Sequence, residues 1–412
     1  MINFEKFTLE NGLRVIIYKD KTTPIAAFNV LYDVGARDES ENRTGFAHLF
    51  EHLMFGGSKN IENYDTALQK AGGENNAFTN NDYTNYYITV PKQNIETAFY
   101  LESDRMLELA FSEKSLDVQR NVVSEEYRQR YLNQPYGDVS LFLRPLAYEK
   151  HPYKWSTIGK NIEDIMTASL SEVKDFFYKH YAPNNAVVVI AGDVDSDQMY
   201  ELCKKWFGDI PNRNVPVRNL PEEPVQTSKR ILTLERNVPC DAIFMAYHTV
   251  GRLDEEYYAT DLISDLLSSG RSSLFNMNLV KGKQYFSELD AYISGSYHPG
   301  LLHVAGKLYP GVSFDNAEKA IKEEINKIVK GDFSEKDLNK VKNKSISAQN
   351  FSRIGLLNIA MELAYCEWLG DAGMINNVEE KYMSVTKKDI VKTAEKIFTD
   401  NNLSCIYYKA KQ

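Results

Sequence analysis

The chain has 412 residues, 43% of them hydrophobic and 25% charged, with a net charge of −9. That length points to two domains, each large enough to bury a core, and 26 tyrosines and 20 phenylalanines exclude a disordered chain. Acidic residues spread along the whole sequence disfavour a nucleic-acid partner.

Cys203, Cys240, Cys366 and Cys405 lie far apart without a CxxC pair. That spacing excludes a thiolate zinc site and reads as buried thiols rather than a disulfide framework. At the N-terminus, Glu5, Lys6 and Glu10 interrupt any secretory leader. The most apolar run, Ala186 to Gly192, is too short to cross a bilayer. The expectation is a cytoplasmic protein without membrane association, or a periplasmic one if a leader has been removed.

In chain order, FTLENGLRVIIYKD alternates around Asn11 and Gly12 and predicts a hairpin, with Pro24 to Tyr32 as a further strand. From Thr44 the period becomes helical through Phe46, Leu49, Phe50, Leu53 and Met54, and Gly56 with Gly57 ends that helix. Further helices are predicted for 64–71, 95–110, 113–131 and 173–180, with a strand at 84–90. VVVIAGDV reads as a buried strand.

Residues 211–229 hold four prolines and little periodicity, which predicts a linker. Beyond it the order of elements repeats: strands around ILTLERNVPCDAIFMAYHTVG, a helix in LDEEYYATDLISDLLSSG, then sheet in DAYISGS and LLHVAGKL. Setting LFEHLMFGG against LISDLLSSG places Asp261, Ser264 and Asp265 where the first half has His48, Glu51 and His52. The prediction is an α+β protein of two related halves, each a mixed, mostly antiparallel β-sheet packed against helices. The boundaries are 1–210 for an N-terminal domain bearing His48, Glu51 and His52, 211–229 for the linker and 230–412 for a homologous domain without them.

The chemistry lies in H-L-F-E-H, residues 48–52. On a helix, positions three and four apart share a face, so His48, Glu51 and His52 project together. Two neutral imidazoles at that spacing can grip one divalent ion, zinc being the usual choice, with Glu51 placed as a general base. The motif inverts H-E-x-x-H.

GFAHLFEHLMFGGS, followed by GGENNAFTNNDYTNYY, LESDRM and QRNVVSEEYRQRY, resembles the pitrilysin/insulinase family of inverted-motif zinc peptidases, in particular its half-length branch, which is similar to mitochondrial processing peptidase. The resemblance implies one Zn²⁺ per chain, held by His48, His52 and a glutamate in V-V-x-x-E, which is Glu126 here. Glu125 is the adjacent alternative; about 100° separates neighbouring residues on a helix, so only one of the two can face the metal. Where the family often carries another acid, this chain has Gln119, available as a hydrogen-bonding support for the ligands. The resemblance also makes Asn76, Ala77 and Phe78 part of an edge strand to which an extended peptide adds by backbone pairing. His151, His180, His248, His298 and His303 have no partner at ligand spacing and receive no role.

One departure stands out. An arginine and a tyrosine that the family commonly carries in its second half fall on Val280 and Ser287 here, in LVKGKQYFSELDAY. Lys281, Lys283 or Tyr285 could substitute, although each is out of register. The reading is a zinc-dependent endopeptidase acting on peptides or unfolded segments. It works either as a homodimer or as a heterodimer with a homologous chain that lacks the metal motif and supplies the missing pair. A non-catalytic core or assembly subunit and a peptide-binding chaperone of the same fold are the alternatives.

Overall fold

The computed structural model of the chain describes residues 1–411. In chain order the strands and helices of the first half are β1 (Glu5–Thr8), β2 (Arg14–Lys19), β3 (Ile25–Tyr32), α1 (Phe46–Leu53), α2 (Tyr64–Lys70), β4 (Glu74–Thr79), β5 (Thr84–Pro91), α3 (Ile95–Leu107), α4 (Glu113–Tyr127), α5 (Val139–Ala147), α6 (Glu163–Met166), α7 (Leu170–His180), β6 (Ala186–Gly192) and α8 (Ser196–Phe207). After a connector come β7 (Arg230–Arg236), β8 (Ala242–His248), α9 (Tyr257–Ser268), β9 (Phe286–Ile293), β10 (Leu301–Leu308), α10 (Phe314–Val329), α11 (Glu335–Ser352), α12 (Leu356–Leu369), α13 (Val378–Ser384), α14 (Lys387–Ile397) and β11 (Leu403–Ala410).

Two sheets organise these elements, with strand orders β1-β2-β6-β3-β5-β4 and β7-β11-β8-β10-β9. Apart from β1 the orders correspond strand for strand. Each sheet has one parallel pair, β2 with β6 and β7 with β11, and is otherwise antiparallel. The α+β plan of two related halves is therefore present, and α9 occupies in the second sheet's connectivity the place that α1 has in the first. The run AVVVIAG becomes the wholly buried β6 because β-branched side chains pack well on both faces of a central strand. At the first hairpin Gly12 takes φ +88°, a left-handed conformation that glycine adopts without strain.

The chain divides into two compact units that do not follow a single cut at 211–229. One comprises Met1–Tyr127, Trp155–Leu220 and Asn350–Asn377; the other comprises Arg128–Lys154, Pro221–Gln349 and Val378 onward. The connector holds one of the crossings, and two helical segments are exchanged. Thus α12 of the second half packs on β3 and β6, while α5 of the first half packs on β8 and β11. Apolar burial decides this. Ile359, Ala360, Leu363 and Ala364 of α12 are buried, and Leu143 and Ala147 of α5 join Ala242, Ala246, Ile406 and Tyr408 in one cluster. The helix predicted to run to Tyr131 ends as an α-helix at Tyr127 and continues as a π-helix through Arg128–Leu132.

Candidate metal centre

Helix α1 is short and two-faced. Phe46, Ala47, Leu49, Phe50 and Leu53 are buried, leaving His48, Glu51 and His52 on the opposite, half-buried face. Its apolar side is fixed on α7, where the Phe50 ring lies 5.0 Å from Phe176 and 5.1 Å from Tyr181. Such pairs add about 0.5–1.5 kcal/mol each beyond area burial and set the rotation of the helix about its axis.

That rotation brings the two imidazoles to a centroid separation of 4.9 Å at 86°. Glu126, near the C-terminal end of α4, completes the group: its Oε2 is 3.6 Å from His48 Nε2 and 3.3 Å from His52 Nε2. All three ligand atoms lie within 4.8 Å of one another. Tetrahedral zinc with bonds of about 2.0–2.2 Å requires ligand atoms roughly 3.3–3.6 Å apart, so the donor set fits the ion in type and in both carboxylate–imidazole distances. Glu125 is exposed, whereas Glu126 and the histidines are partly buried.

Glu51 projects from the same face of α1, partly buried, with two buried tyrosines near it. Burial pushes the Tyr86 and Tyr181 phenols far up, and the charge of Glu51 adds to the shift of both. These two hydroxyls therefore remain protonated near Glu51. No helical spacing announces them, since they come from β5 and from the residue that ends α7.

Helix α1 packs beside β4, the edge strand of its sheet. Along β4, Asn76 and Phe78 are exposed and Ala77 is half-buried on the other face. Phe78 leans on Tyr83 at 5.8 Å, and the Asn76 side-chain oxygen accepts the Ala77 N–H at 2.8 Å. Gln119 sits two turns before Glu126 on α4, beside Gly56 just past the end of α1.

In the second unit, Asp261 accepts the Tyr382 hydroxyl and Asp265 accepts that of Ser345. The three residues of the first unit form the one metal-competent group among the described residues. Val280 packs against the apolar core of that unit, and the Ser287 hydroxyl meets the Lys307 carbonyl. Lys283 pairs with Glu323, and Tyr285 packs against the core. Among the cysteines, Cys203, Cys366 and Cys405 are buried and Cys240 is partly exposed, and none is in a disulfide.

Residues 14–160 match the Insulinase (Peptidase family M16) family, and residues 167–345 match the Peptidase M16 inactive domain. An uncharacterized zinc protease of Mycobacterium leprae is 30% identical over 316 residues, 74% of this chain and 69% of that protein. The chain belongs to peptidase family M16. Zinc protease PqqE of Helicobacter pylori is 29% identical over 416 residues, spanning 98% of this M16 chain and 92% of that one. A crystal structure of a protease from Helicobacter pylori superposes with a TM-score of 0.94 at 28% identity, covering 99% of this chain and 100% of the other. The match to a domain called inactive falls mainly on the half in which Asp261, Ser264 and Asp265 replace the histidines and glutamate. No helix among the described residues is long and apolar enough to cross a membrane.

Proposed function

We propose that this M16 protein is a zinc-dependent endopeptidase of extended or unfolded peptide segments, with one Zn²⁺ held by His48, His52 and Glu126. The observation that carries the reading is the convergence of these three ligand atoms with Glu51 on the same helix face. When bound, zinc lowers the pKa of water in its open position toward neutrality and polarises a carbonyl placed against it. Glu51 takes a proton from the water attacking the scissile carbonyl and returns it to the leaving amide nitrogen. The peptide lies as an added strand along β4, with Asn76, Ala77 and Phe78 in contact, so its backbone is held without demanding a particular side chain. Gln119 supports α1 from α4.

Substituting Glu51→Gln tests the reading. Zinc content should be unchanged while cleavage of an unfolded peptide falls about 100- to 10,000-fold. A variant that cleaves as the parent does would exclude this mechanism. Zinc binding by the parent without any cleavage would return the peptide-binding chaperone, and absence of zinc would return the non-catalytic core subunit.

Val280 and Ser287, where the resemblance implies an arginine and a tyrosine, support a heterodimer in which a homologous chain without metal ligands supplies that pair. A homodimer is the alternative. Purification from the native source with identification of every co-purifying chain separates the two, and a single chain species would reject the division of labour.

A further inference from the structure

We propose that Glu39 is a positioning residue for the metal-binding helix: its carboxylate clamps the backbone of the first turn of α1 so that His48 stays in register with His52. The inference rests on the metal-site reading above. Glu39 lies outside the helix, yet Oε2 accepts the Gly45 N–H at 2.9 Å and Oε1 accepts the Ala47 N–H at 2.8 Å. Both oxygens are thus committed to the point where α1 begins.

The helix has particular need of such a clamp. It has eight residues, and its N-cap is Gly45 at φ +86°, which has no side chain to offer. The i→i−4 bond to Gly45 is that of Leu49, whose N–H meets the carbonyl at 2.9 Å. His48 therefore belongs to the turn whose N–H groups have no intrahelical acceptor. Short helices do not hold their ends by propensity. If the first turn frays, His48 moves while His52, one turn further on, does not.

An ordinary cap would be simpler, and the neighbouring helix has one. Helix α2, of seven residues, is capped by its own Asn63, whose side-chain oxygen accepts the Thr66 N–H at 2.8 Å. For α1 the chain instead uses a carboxylate that is only 8% exposed, at the cost of desolvation. Burial pushes the Glu39 carboxyl well up, and the Ala47 and Gly45 N–H bonds offset only part of that shift. The approach to the helix is fixed as well: Asp164 Oδ2 accepts the Thr44 N–H at 3.1 Å and its hydroxyl at 2.7 Å, and Thr44 Oγ1 accepts the Lys160 N–H at 2.9 Å. Two carboxylates at the positive end of a helix dipole make a stiff, directional mount for a metal ligand.

The test is a zinc titration in competition with a chromogenic chelator, well below the melting temperature, on the parent chain, Glu39→Gln and Asn63→Ala. Glutamine can accept only one of the two N–H bonds, so Glu39→Gln should bind zinc roughly 10- to 100-fold more weakly. Asn63→Ala, which removes a comparable cap from a helix without ligands, should lower the melting temperature and leave zinc affinity unchanged. Parent-like affinity in Glu39→Gln overturns the proposal. Hydrogen exchange on the metal-free parent decides the matter even if that variant does not fold. The Gly45 and Ala47 amides should already be protected before zinc is added, and free exchange until zinc arrives would mean that the metal orders the turn. A parent that binds no zinc removes the metal-site reading and this inference together, whereas a zinc-binding parent with an indifferent Glu39→Gln removes only the role of Glu39.

Discussion

Glu126 Oε2 stands 3.3 Å from His52 Nε2, although the two residues are 74 positions apart in the chain. The pair comes together because α4 packs across α1, and it favours Glu126 over Glu125 as the ligand in the proposed metal site. Glu126→Gln should weaken zinc binding by more than about 100-fold, beyond what loss of an outer-shell partner costs, while the exposed Glu125→Gln leaves it unchanged. Dialysis against a chelator should abolish cleavage in the parent and added zinc should restore it. Equal zinc affinity in the two variants would remove Glu126 from the ligand set.

The edge-strand mode of substrate binding makes a separate prediction. The Ala77 N–H has the exposed Asn76 side-chain oxygen as a partner, which a peptide carbonyl can replace. Proline is tolerated on edge strands, so Ala77→Pro deletes that donor with the fold intact. Loss of one such hydrogen bond should raise KM about three- to tenfold, with kcat and zinc affinity unchanged. If KM does not move, the peptide does not pair with β4 at this point.

How legible each part was follows from how local it is. His48, Glu51 and His52 sit on one helix, so spacing alone places them on one face, and the structure brings their face together with Glu126. Glu126 was reached through family resemblance, because nothing in QRNVVSEEYRQRY says which helix it will cross. Glu39 was missed: a carboxylate that reaches a helix from outside has no fixed spacing. A helix starting at glycine with no capping side chain, and with an acid a few residues upstream, is the signal that was available.

The exchange of α5 and α12 between the units was not readable either. Neither segment was among the predicted helices, and which sheet each covers is a tertiary choice. The change from α-helix to π-helix after Tyr127 has no glycine or proline to mark it.

In the first unit, α3 carries a buried ion pair whose removal should be severe. Arg105 reaches Glu102 through Nε at 2.8 Å and Nη2 at 2.5 Å, and both side chains are about 1% exposed. The guanidinium also lies 4.3 Å from the Tyr86 ring centre and 4.9 Å from that of Tyr64, whose hydroxyl donates to Glu102. Arg105→Met strands a buried carboxylate and should cost about 3–5 kcal/mol in urea unfolding. The double variant with Glu102→Leu should cost clearly less than the two single changes added together. Simple additivity would show that the ring contacts, not the ion pair, hold Arg105 in place.

In the second unit, His303 supplies a pH test of the fold. Its Nε2 is 3.1 Å from the Ser294 hydroxyl, and Tyr292 stacks on the ring at 4.9 Å and 17°. Burial, with the Arg144 charge adding to it, pushes the imidazole pKa down from 6.5 to about 3. The folded chain therefore keeps His303 neutral, while the unfolded chain takes up a proton near the ordinary value. Its contribution is fully present above pH 6.5 and is lost as pH falls toward about 3, at up to about 1.4 kcal/mol per pH unit. His180 and His248 are also shifted down by burial, so the informative quantity is a difference between variants. Between about pH 6 and 4, His303→Gln should lose stability less steeply than the parent by close to one proton's slope. Identical slopes would mean that the ring is already protonated in the folded chain, and that the Tyr292 and Ser294 contacts hold an imidazolium.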